Sequence, residues 1–340
     1  MQPCQEDNRS FFQKLQSAEG LDLRDKRGKR HDLAVVLTGV TLALLCNRDG
    51  NLSAIHRHLD NHYEKLVEVL EVEKKRAVSR AQLPRILERI SLEVFDQLLI
   101  NEYGIKLNKE EQKWFAIDGK ELRGSIEKGR TKGETIVQSV AHSSGQVQKQ
   151  EVFTVKEDSE VKVVRRMLAD ADLARQKISL DALHLKPATL RPIVQAKGIY
   201  LVGLKENQKE MFYEAGFNVG LDKLLYETET LEKGHGRIEE RKYGVYEFAD
   251  VYQDERWKVC QVRTLVCVVR ERIEQKSRNK TQEISYYVSN QEKDYEGLCQ
   301  AVRGHWQVEV NNHRRDVSLK EDALRSKKSR YKKRWQESEQ

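Results

Sequence analysis

The apolar run Trp114–Ile117 is the feature that most constrains the fold of this chain. Consecutive apolar residues of this kind are typical of a short buried strand. Asp118 ends the run, and Gly119 behind it is expected to let the chain turn. The basic residues Lys120 and Arg123 follow closely. A carboxylate at a strand end beside basic side chains indicates a site for a metal ion and a phosphate, although such an aspartate can also serve only to cap a turn.

The hydrophobic pattern changes from helical to strand-like near residue 107. Before that point the apolar residues recur with the spacing of one face of a helix. The predicted helices there are Leu33–Cys46, a segment from Ile55 to Leu70, and Glu93–Tyr103. After it, short apolar runs predict strands at Lys113–Asp118, Thr135–His142, Val147–Val155, Lys177–Leu180 and Ile199–Leu204. Helical stretches at 158–174 and Pro187–Ala196 separate the later strands, so we expect α/β layers.

The remainder of the chain is predicted to be rich in strands and then helical. Residues 212–290 are expected to form a β-rich insertion. Its strand-like runs are Arg241–Phe248, Trp257–Arg270 and Ile284–Val288, and a helix is expected at Tyr295–Asp316. We therefore expect a helical domain over residues 1–110, an α/β domain over 111–325 that contains the insertion, and a basic tail over 326–340.

The charge balance favours a polyanionic partner. The formal net charge is +7, and charged residues make up 34% of the chain. Two basic runs, Arg24–Arg30 and Arg325–Arg334, concentrate the excess. Because both signs of charge are mixed elsewhere, each run can also be a solvated face or a frayed tail.

The cysteines and the hydrophobic segments indicate the compartment. Five scattered cysteines without metal-site spacing argue for a reducing environment and against a disulfide framework or a zinc site. The most apolar window, Leu33–Cys46, is too short to span a bilayer, and no signal peptide is recognised. We therefore expect a cytoplasmic protein that does not bind membranes.

Three acidic residues form a candidate metal site. Asp118 and Asp181 each follow a predicted strand, and adjacent strand ends would bring both carboxylates to one edge of a sheet. Such carboxylates stay ionised when divalent cations neutralise them, and Mg²⁺ prefers oxygen ligands. Glu309, on the helix predicted near Trp306 and Val308, is the expected third ligand of a two-ion site for phosphodiester chemistry. The alternative third acids are Glu321 and Asp322.

A series of motifs in a fixed order carries a resemblance to a known family. These motifs are AIDGKELRGS, SLDALH, VGLKENQ, GHGRIEERKY, RGHWQVE and KEDALRSK. With them, residues 11–326 resemble bacterial insertion-sequence transposases of the DDE class, in the ISAs-type group that includes the H repeat-associated proteins. The segment DLRDKRGKRHDL and the apolar helix after it resemble the associated domain of such proteins. The resemblance implies a ribonuclease-H-like fold with a β-rich insertion before the last acid.

The resemblance also implies roles for individual residues. Asp118, Asp181 and Glu309 match the catalytic acids, which hold two Mg²⁺ or Mn²⁺ ions in such enzymes. Residues expected to bind DNA, from the motifs and from their chemistry, are Lys120, Arg123, Lys205, Asn207, Gln208, His235, Arg237, Arg241 and His305. For His235, Arg237 and Arg241 the alternative is a hairpin turn with a salt-bridged strand. His184 and His305 are candidates for steadying water or phosphate.

The expected activity is metal-dependent strand cleavage and strand transfer of an insertion sequence. The expected partners are the inverted repeats of the element and the target DNA, with a homodimer on DNA because two ends must be paired. The chain departs from the family pattern, because Val310 follows Glu309 and Arg314 occupies a tryptophan position. The alternatives are a non-catalytic DNA-binding remnant that represses or has been co-opted, and a nuclease without strand transfer. The expected location is the bacterial cytoplasm, at the nucleoid when DNA is bound.

Overall fold

The computed structural model describes residues 9–46, 51–103, 107, 111–126, 129, 131–154, 158–221, 224–234, 236–249 and 254–317. The chain divides into two compact units. The first comprises Met1–Lys106, Glu121–Glu134 and Asn312–Gln340, and the second comprises Leu107–Lys120 and Thr135–Asn311. The domain boundary that the sequence places at residue 110 stays a prediction.

The first unit contains five α-helices within its described residues. They are α1 Phe11–Ser17, α2 Leu33–Cys46, α3 Leu52–Val69, α4 Gln82–Leu87 and α5 Leu92–Tyr103. The all-round apolar helix α2 supplies much of the core, and α3 covers it with a stripe that includes Ile55 and Leu59. Ser10 begins α1 with a capping box, because its side chain accepts from the Gln13 amide while Gln13 accepts from the Ser10 amide. This helical region confirms the pattern read from the sequence.

Within the described residues, nine strands form one sheet. They are β1 Trp114–Leu122, β2 Glu134–Ala141, β3 Val147–Thr154, β4 Lys177–Leu180, β5 Ile199–Leu204, β6 Leu224–Gly234, β7 Arg237–Glu247, β8 Thr264–Glu274 and β9 Lys280–Ser289. Their order in the sheet is β3-β2-β1-β4-β5-β9-β8-β7-β6. The helices between and after them are α6 Glu160–Met167, α7 Ala171–Ala174, α8 Pro187–Gln195, α9 Lys209–Gly220, α10 Tyr295–Gly304 and α11 Trp306–Val317. The mixed α/β class is thereby confirmed, while the ribonuclease-H-like assignment stays a prediction.

The centre of the sheet is parallel. Strands β1, β4 and β5 run in the same direction, with Ile117 opposite Leu180 and Leu180 opposite Val202. Strand β9 then pairs antiparallel with β5, and β8, β7 and β6 continue the antiparallel ladder. The parallel register brings the residues that follow Ile117 and Leu180 to the same level of two neighbouring strands.

Strand β1 does not end at Asp118, as the sequence suggested. The strand continues to Leu122, and Gly119 lies within it rather than at a turn. The polar residues after Asp118 hide this continuation in the sequence, because a strand that leaves the core no longer needs apolar side chains.

The β-rich region also differs from its prediction. It begins with helix α9, and its four strands extend the central sheet through β9. Trp257 lies in the 3₁₀ helix Glu255–Cys260 rather than in a strand. Two predicted helices are each divided: residues 158–174 form α6 and α7, and the C-terminal one is interrupted at His305 into α10 and α11.

None of the helices in the described part of the chain combines the length and the hydrophobicity that a membrane crossing requires.

Candidate active site

Asp118 and Asp181 occupy equivalent places on two neighbouring strands. Asp118 follows Ile117 in β1, and Asp181 follows Leu180 at the end of β4, the parallel partner of Ile117. Asp181 also begins the 3₁₀ helix Ala182–His184, since its Oδ1 accepts from the Leu183 amide at 3.0 Å. The Asp181 side chain therefore caps this 3₁₀ helix and is also a candidate metal ligand.

Glu309 lies in the first turn of α11, which is held on the sheet by the residue before it. Val308 is fully buried against Ala116 of β1 and Val140 of β2. Trp306, in contrast, is 45% exposed and contacts the Arg303 guanidinium. Packing of Val308 therefore helps to place the exposed Glu309 near the part of β1 that carries Asp118.

The pKa of Asp118 is raised by burial and by the negative charges of other acids. Burial raises the pKa of this carboxyl to about 6, and the charge of Glu160 contributes next. The charges of Asp181 and Glu309 raise the pKa further, while the Gly119 amide lowers it by hydrogen bonding. Asp118 thus lies within electrostatic range of the other two acids chosen from the sequence, and of Glu160 as well.

Sequence reasoning missed Glu160. This residue opens α6, and its carboxylate packs over Gly119, where an added Cβ would collide with it. The available signal was the glycine itself, because a glycine within a strand often marks the close approach of another group. Interpreting Gly119 as a turn residue concealed this signal.

His184 joins the acids from the 3₁₀ helix after β4. The ring is fully buried, and its Nε2 lies 2.9 Å from Glu160 Oε1 and 3.7 Å from Asp181 Oδ1. One donor atom from each of these three residues lies within 4.8 Å of the others, a spacing that a single metal ion can bridge. The carboxylate oxygens fit Mg²⁺ or Mn²⁺, which prefer such ligands, and a cation would relieve the repulsion felt by Asp118.

A buried polar chain lies behind this cluster. Ser179 Oγ is hydrogen-bonded to His142 Nε2 at 2.8 Å and to His305 Nδ1 at 2.9 Å. Burial lowers the pKa of His305 to about 4, despite the opposing charge of Asp181, and lowers that of His142 to about 3. Both rings are neutral near pH 7, so His305 is better explained as a structural residue than as the DNA contact expected from the sequence.

Two side-chain amides of the Lys-x-Asn-Gln segment, Lys205–Gln208, donate hydrogen bonds to the backbone that follows β4. Asn207 Nδ2 donates to the Ala182 carbonyl at 2.7 Å, and Gln208 Nε2 donates to the Leu185 carbonyl at 3.0 Å. Both amides therefore hold the segment that carries Asp181 and His184, instead of serving first as donors to DNA. Lys205 is exposed, as a phosphate contact requires.

The two arginines of the β6–β7 hairpin are paired with carboxylates. Arg241 is nearly buried between Glu239 and Glu232, the latter at 3.1 Å, and Arg237 Nε lies 2.6 Å from Glu239 Oε1. The structure therefore favours the salt-bridged strand over the phosphate contact for Arg241.

The other residues named from the sequence fall in two groups. Lys120 lies in β1 on the same face as Asp118, and Arg123 begins the 3₁₀ helix Arg123–Ser125. His235, Glu321, Asp322 and the basic tail lie outside the described residues.

Two kinds of comparison relate this chain to known proteins. The family model described as "DDE_Tnp_1-associated" matches residues 13–101. "Putative transposase YncI" from Escherichia coli O157:H7 is 31% identical over 219 residues, which cover 62% of this chain and 55% of that protein. "H repeat-associated putative transposase YhhI" and "Putative protein YbfL", both from Escherichia coli K12, are 26% and 27% identical over 247 residues, which cover 71% of this chain and 65% of each relative.

The chain thus aligns with between 55% and 65% of the length of these relatives. The family model covers the helical region, while the longer matches extend beyond it. The resemblance carried by the ordered motifs is confirmed: the chain is similar to putative transposases, among them an H repeat-associated one.

Proposed function

We propose that this chain is a DNA transposase that cleaves and joins the strands of an insertion sequence, with Asp118, Asp181 and Glu309 as its catalytic acids. The observation that supports the proposal is the place of Asp118 and Asp181 after the paired residues Ile117 and Leu180 of two parallel strands, together with the charges of Asp181 and Glu309 that raise the pKa of Asp118. Carboxylates that repel one another in a half-buried site are typical of cation-binding catalytic centres.

The three acids would hold two divalent cations, Mg²⁺ or Mn²⁺. When bound, such ions activate the attacking oxygen and stabilise the leaving oxygen of a phosphodiester. The protein supplies rigid placement: β1 and β4 fix the two aspartates, Val308 anchors Glu309, and the Asn207 amide ties down the segment after Asp181. Cleavage by water and attack by a 3′-hydroxyl are both displacements at phosphorus, so one site serves both steps.

The helical region, over residues 1–110, would recognise the ends of the element. Its basic run offers Lys26, Arg27 and Arg30 as exposed cations, whereas Arg24 is paired with Asp22. Phosphate contacts of this kind make binding strongly dependent on salt. We propose the terminal inverted repeats and target DNA as partners, a homodimer that pairs two ends, and action in the bacterial cytoplasm at the nucleoid.

The test compares Asp118→Asn with Asp172→Asn, a matched change of an exposed aspartate in α7. Both proteins are expected to bind terminal-repeat DNA equally well in a gel-shift assay. In Mn²⁺, only Asp118→Asn should lose strand cleavage, by about 1,000-fold or more, because charge stabilisation at such a site is worth several kcal/mol. Cleavage by Asp118→Asn at the rate of the control would refute the assignment.

The same assay addresses the two alternatives. Val310 and Arg314 depart from the family pattern near Glu309. This departure is the reason to test for a non-catalytic DNA-binding remnant. Specific binding without cleavage by the wild-type protein would support that remnant. Cleavage without joined products would instead support a nuclease that lacks strand transfer.

A further inference from the structure

We propose that Glu160 is a fourth carboxylate of the cation site and that His184 positions it. This inference rests on the proposed function, which assigns the cations to Asp118, Asp181 and Glu309. It concerns two residues of the chain that this assignment does not use.

The two oxygens of the Glu160 carboxylate contact different neighbours. Oε1 accepts from His184, and the other oxygen packs over Gly119, the neighbour of Asp118 in β1. Glu160 therefore contacts both β1 and the 3₁₀ helix that follows Asp181. Its charge acts on Asp118 more strongly than the charge of either Asp181 or Glu309. A helix that only packed on the sheet would not need a carboxylate there, and α6 does this packing with Val163, Val164 and Met167.

The two nitrogens of His184 have different surroundings. The ring is fully buried, and Nδ1 has no hydrogen-bond partner in the described part of the chain. A buried N–H without an acceptor costs more than a buried nitrogen lone pair, so the proton belongs on Nε2. Nε2 faces Glu160 at 2.9 Å and Asp181 at 3.7 Å. His184 is thus a hydrogen-bond donor to Glu160.

The same surroundings argue against His184 as a metal ligand. A ligating histidine usually donates its other N–H to a carboxylate or a carbonyl. If a cation took Nε2 of His184, the proton would move to Nδ1, where the described residues offer no acceptor. The ring therefore acts through Glu160, which it holds within reach of Asp181.

A fourth carboxylate would strengthen the binding of cations. Each added carboxylate supplies an oxygen ligand and a negative charge, and the affinity for hard divalent ions follows the charge and rigidity of the site. Loss of a residue that orients a ligand typically weakens metal binding by about 10-fold to 100-fold. We expect effects of this size for both Glu160 and His184.

The experiment is a titration of the full chain with Mn²⁺ in the absence of DNA, with the free ion followed by electron paramagnetic resonance. Glu160→Gln and His184→Leu should each weaken binding by about 10-fold or more, whereas His184→Gln, which keeps a donor near the position of Nε2, should bind within about threefold of wild type. Glu151→Gln is the control, because Glu151 pairs with Arg166 on α6 but lies outside the acidic cluster. It should bind Mn²⁺ as the wild type does.

A double variant tests whether His184 acts through Glu160. His184→Leu should have little further effect in a Glu160→Gln background, because the side chain it positions is already altered. An effect in that background as large as in wild type would show that His184 acts independently, and would overturn its positioning role.

If His184→Leu fails to fold, Gly119→Ala replaces it, because the added methyl displaces Glu160. Gly119→Ala should weaken Mn²⁺ binding in wild type and leave Glu160→Gln nearly unchanged.

Two further variants separate this inference from the proposed function. If Asp118→Asn and Asp181→Asn weaken Mn²⁺ binding while Glu160→Gln matches Glu151→Gln, the fourth carboxylate is refuted and the proposed function stands. If neither aspartate variant changes Mn²⁺ binding, the proposed function itself fails.

Discussion

Val308 of α11 packs against Ala116 of β1, and both side chains are fully buried. The contact connects two elements that carry candidate acids, since Asp118 follows Ala116 on the same face of β1 and Glu309 follows Val308. This apolar contact thus helps to set the distance between two charged groups that are far apart in the sequence.

The contact predicts that Val308→Ala will weaken both the fold and the site. Removing two methyl groups from a filled core position should lower the free energy of unfolding by about 2 kcal/mol. Mn²⁺ binding should weaken as well, because Glu309 loses its anchor. Urea denaturation and Mn²⁺ titration measure the two effects. Val310→Ala, at an exposed position of the same helix, is the control and should change neither. Full Mn²⁺ affinity in Val308→Ala would contradict the anchoring role.

The raised pKa of Asp118 predicts how this residue affects stability without metal ions. Between pH 3.8 and about 6, the folded chain keeps a proton that the unfolded chain has lost. The contribution of Asp118 therefore favours folding at low pH and is lost as the pH rises through this window, by at most about 3 kcal/mol. Above pH 6, Asp118→Asn should be more stable than wild type in the presence of a chelator.

The measurement is urea denaturation of wild type and Asp118→Asn from below pH 4 to above pH 7, with Asp172→Asn as the control. The difference between the variants isolates Asp118 from other titrating groups. Added Mn²⁺ should stabilise the wild type more than Asp118→Asn, because binding to the folded state raises its stability. A stability difference that does not change with pH would exclude the electrostatic explanation.

The buried chain of His142, Ser179 and His305 predicts a different response to acid. Both rings are neutral in the folded state at a pH where the unfolded rings accept protons, because burial lowers the pKa of His305 to about 4 and that of His142 to about 3. Their contribution to stability is therefore present above pH 6.5 and is lost as the pH falls toward these values. This trend opposes that of Asp118.

Ser179→Ala should destabilise the protein, because it leaves ring nitrogens of both histidines without their partner. The expected loss is about 1–3 kcal/mol at pH 7, the usual cost of an unsatisfied buried polar group. Ser144→Ala removes an exposed hydroxyl and serves as the control, with a change below about 0.5 kcal/mol. Equal stability of the two variants by urea denaturation would argue that water replaces the hydroxyl.

Lys205 and Asn207 are predicted to have different roles although they share one motif. Lys205→Ala should weaken binding to any DNA and lower the dependence of log affinity on log salt by about one, as for the loss of a phosphate contact. Asn207→Ala should leave DNA affinity unchanged and lower cleavage, because the Ala182 carbonyl loses its donor. Gel-shift titrations at several salt concentrations and a cleavage assay distinguish the two. Reduced DNA affinity in Asn207→Ala would restore its role as a DNA contact.

The sequence by itself determined the local elements and the identity of three candidate acids. Strands β4 and β5 match their predicted bounds, because each is a short apolar run between polar residues and needs no distant information. The acids were recognisable because each follows such a run or lies within an ordered motif. These features are contained in a few neighbouring residues, which a pattern can report.

Only the tertiary structure decided which distant residues meet. The pairing of β9 with β5, which joins the β-rich region to the central sheet, depends on contacts between strands far apart in the chain. Glu160 reaches the site for the same reason, since α6 packs across β1 where Gly119 leaves room for its carboxylate. The fold also gives internal partners to two residues that the sequence suggests as DNA contacts, since His305 is hydrogen-bonded to Ser179 and Arg241 is paired with Glu239. The cause is physical: charge and hydrogen-bond partners depend on distances in space, which spacing along the chain does not specify.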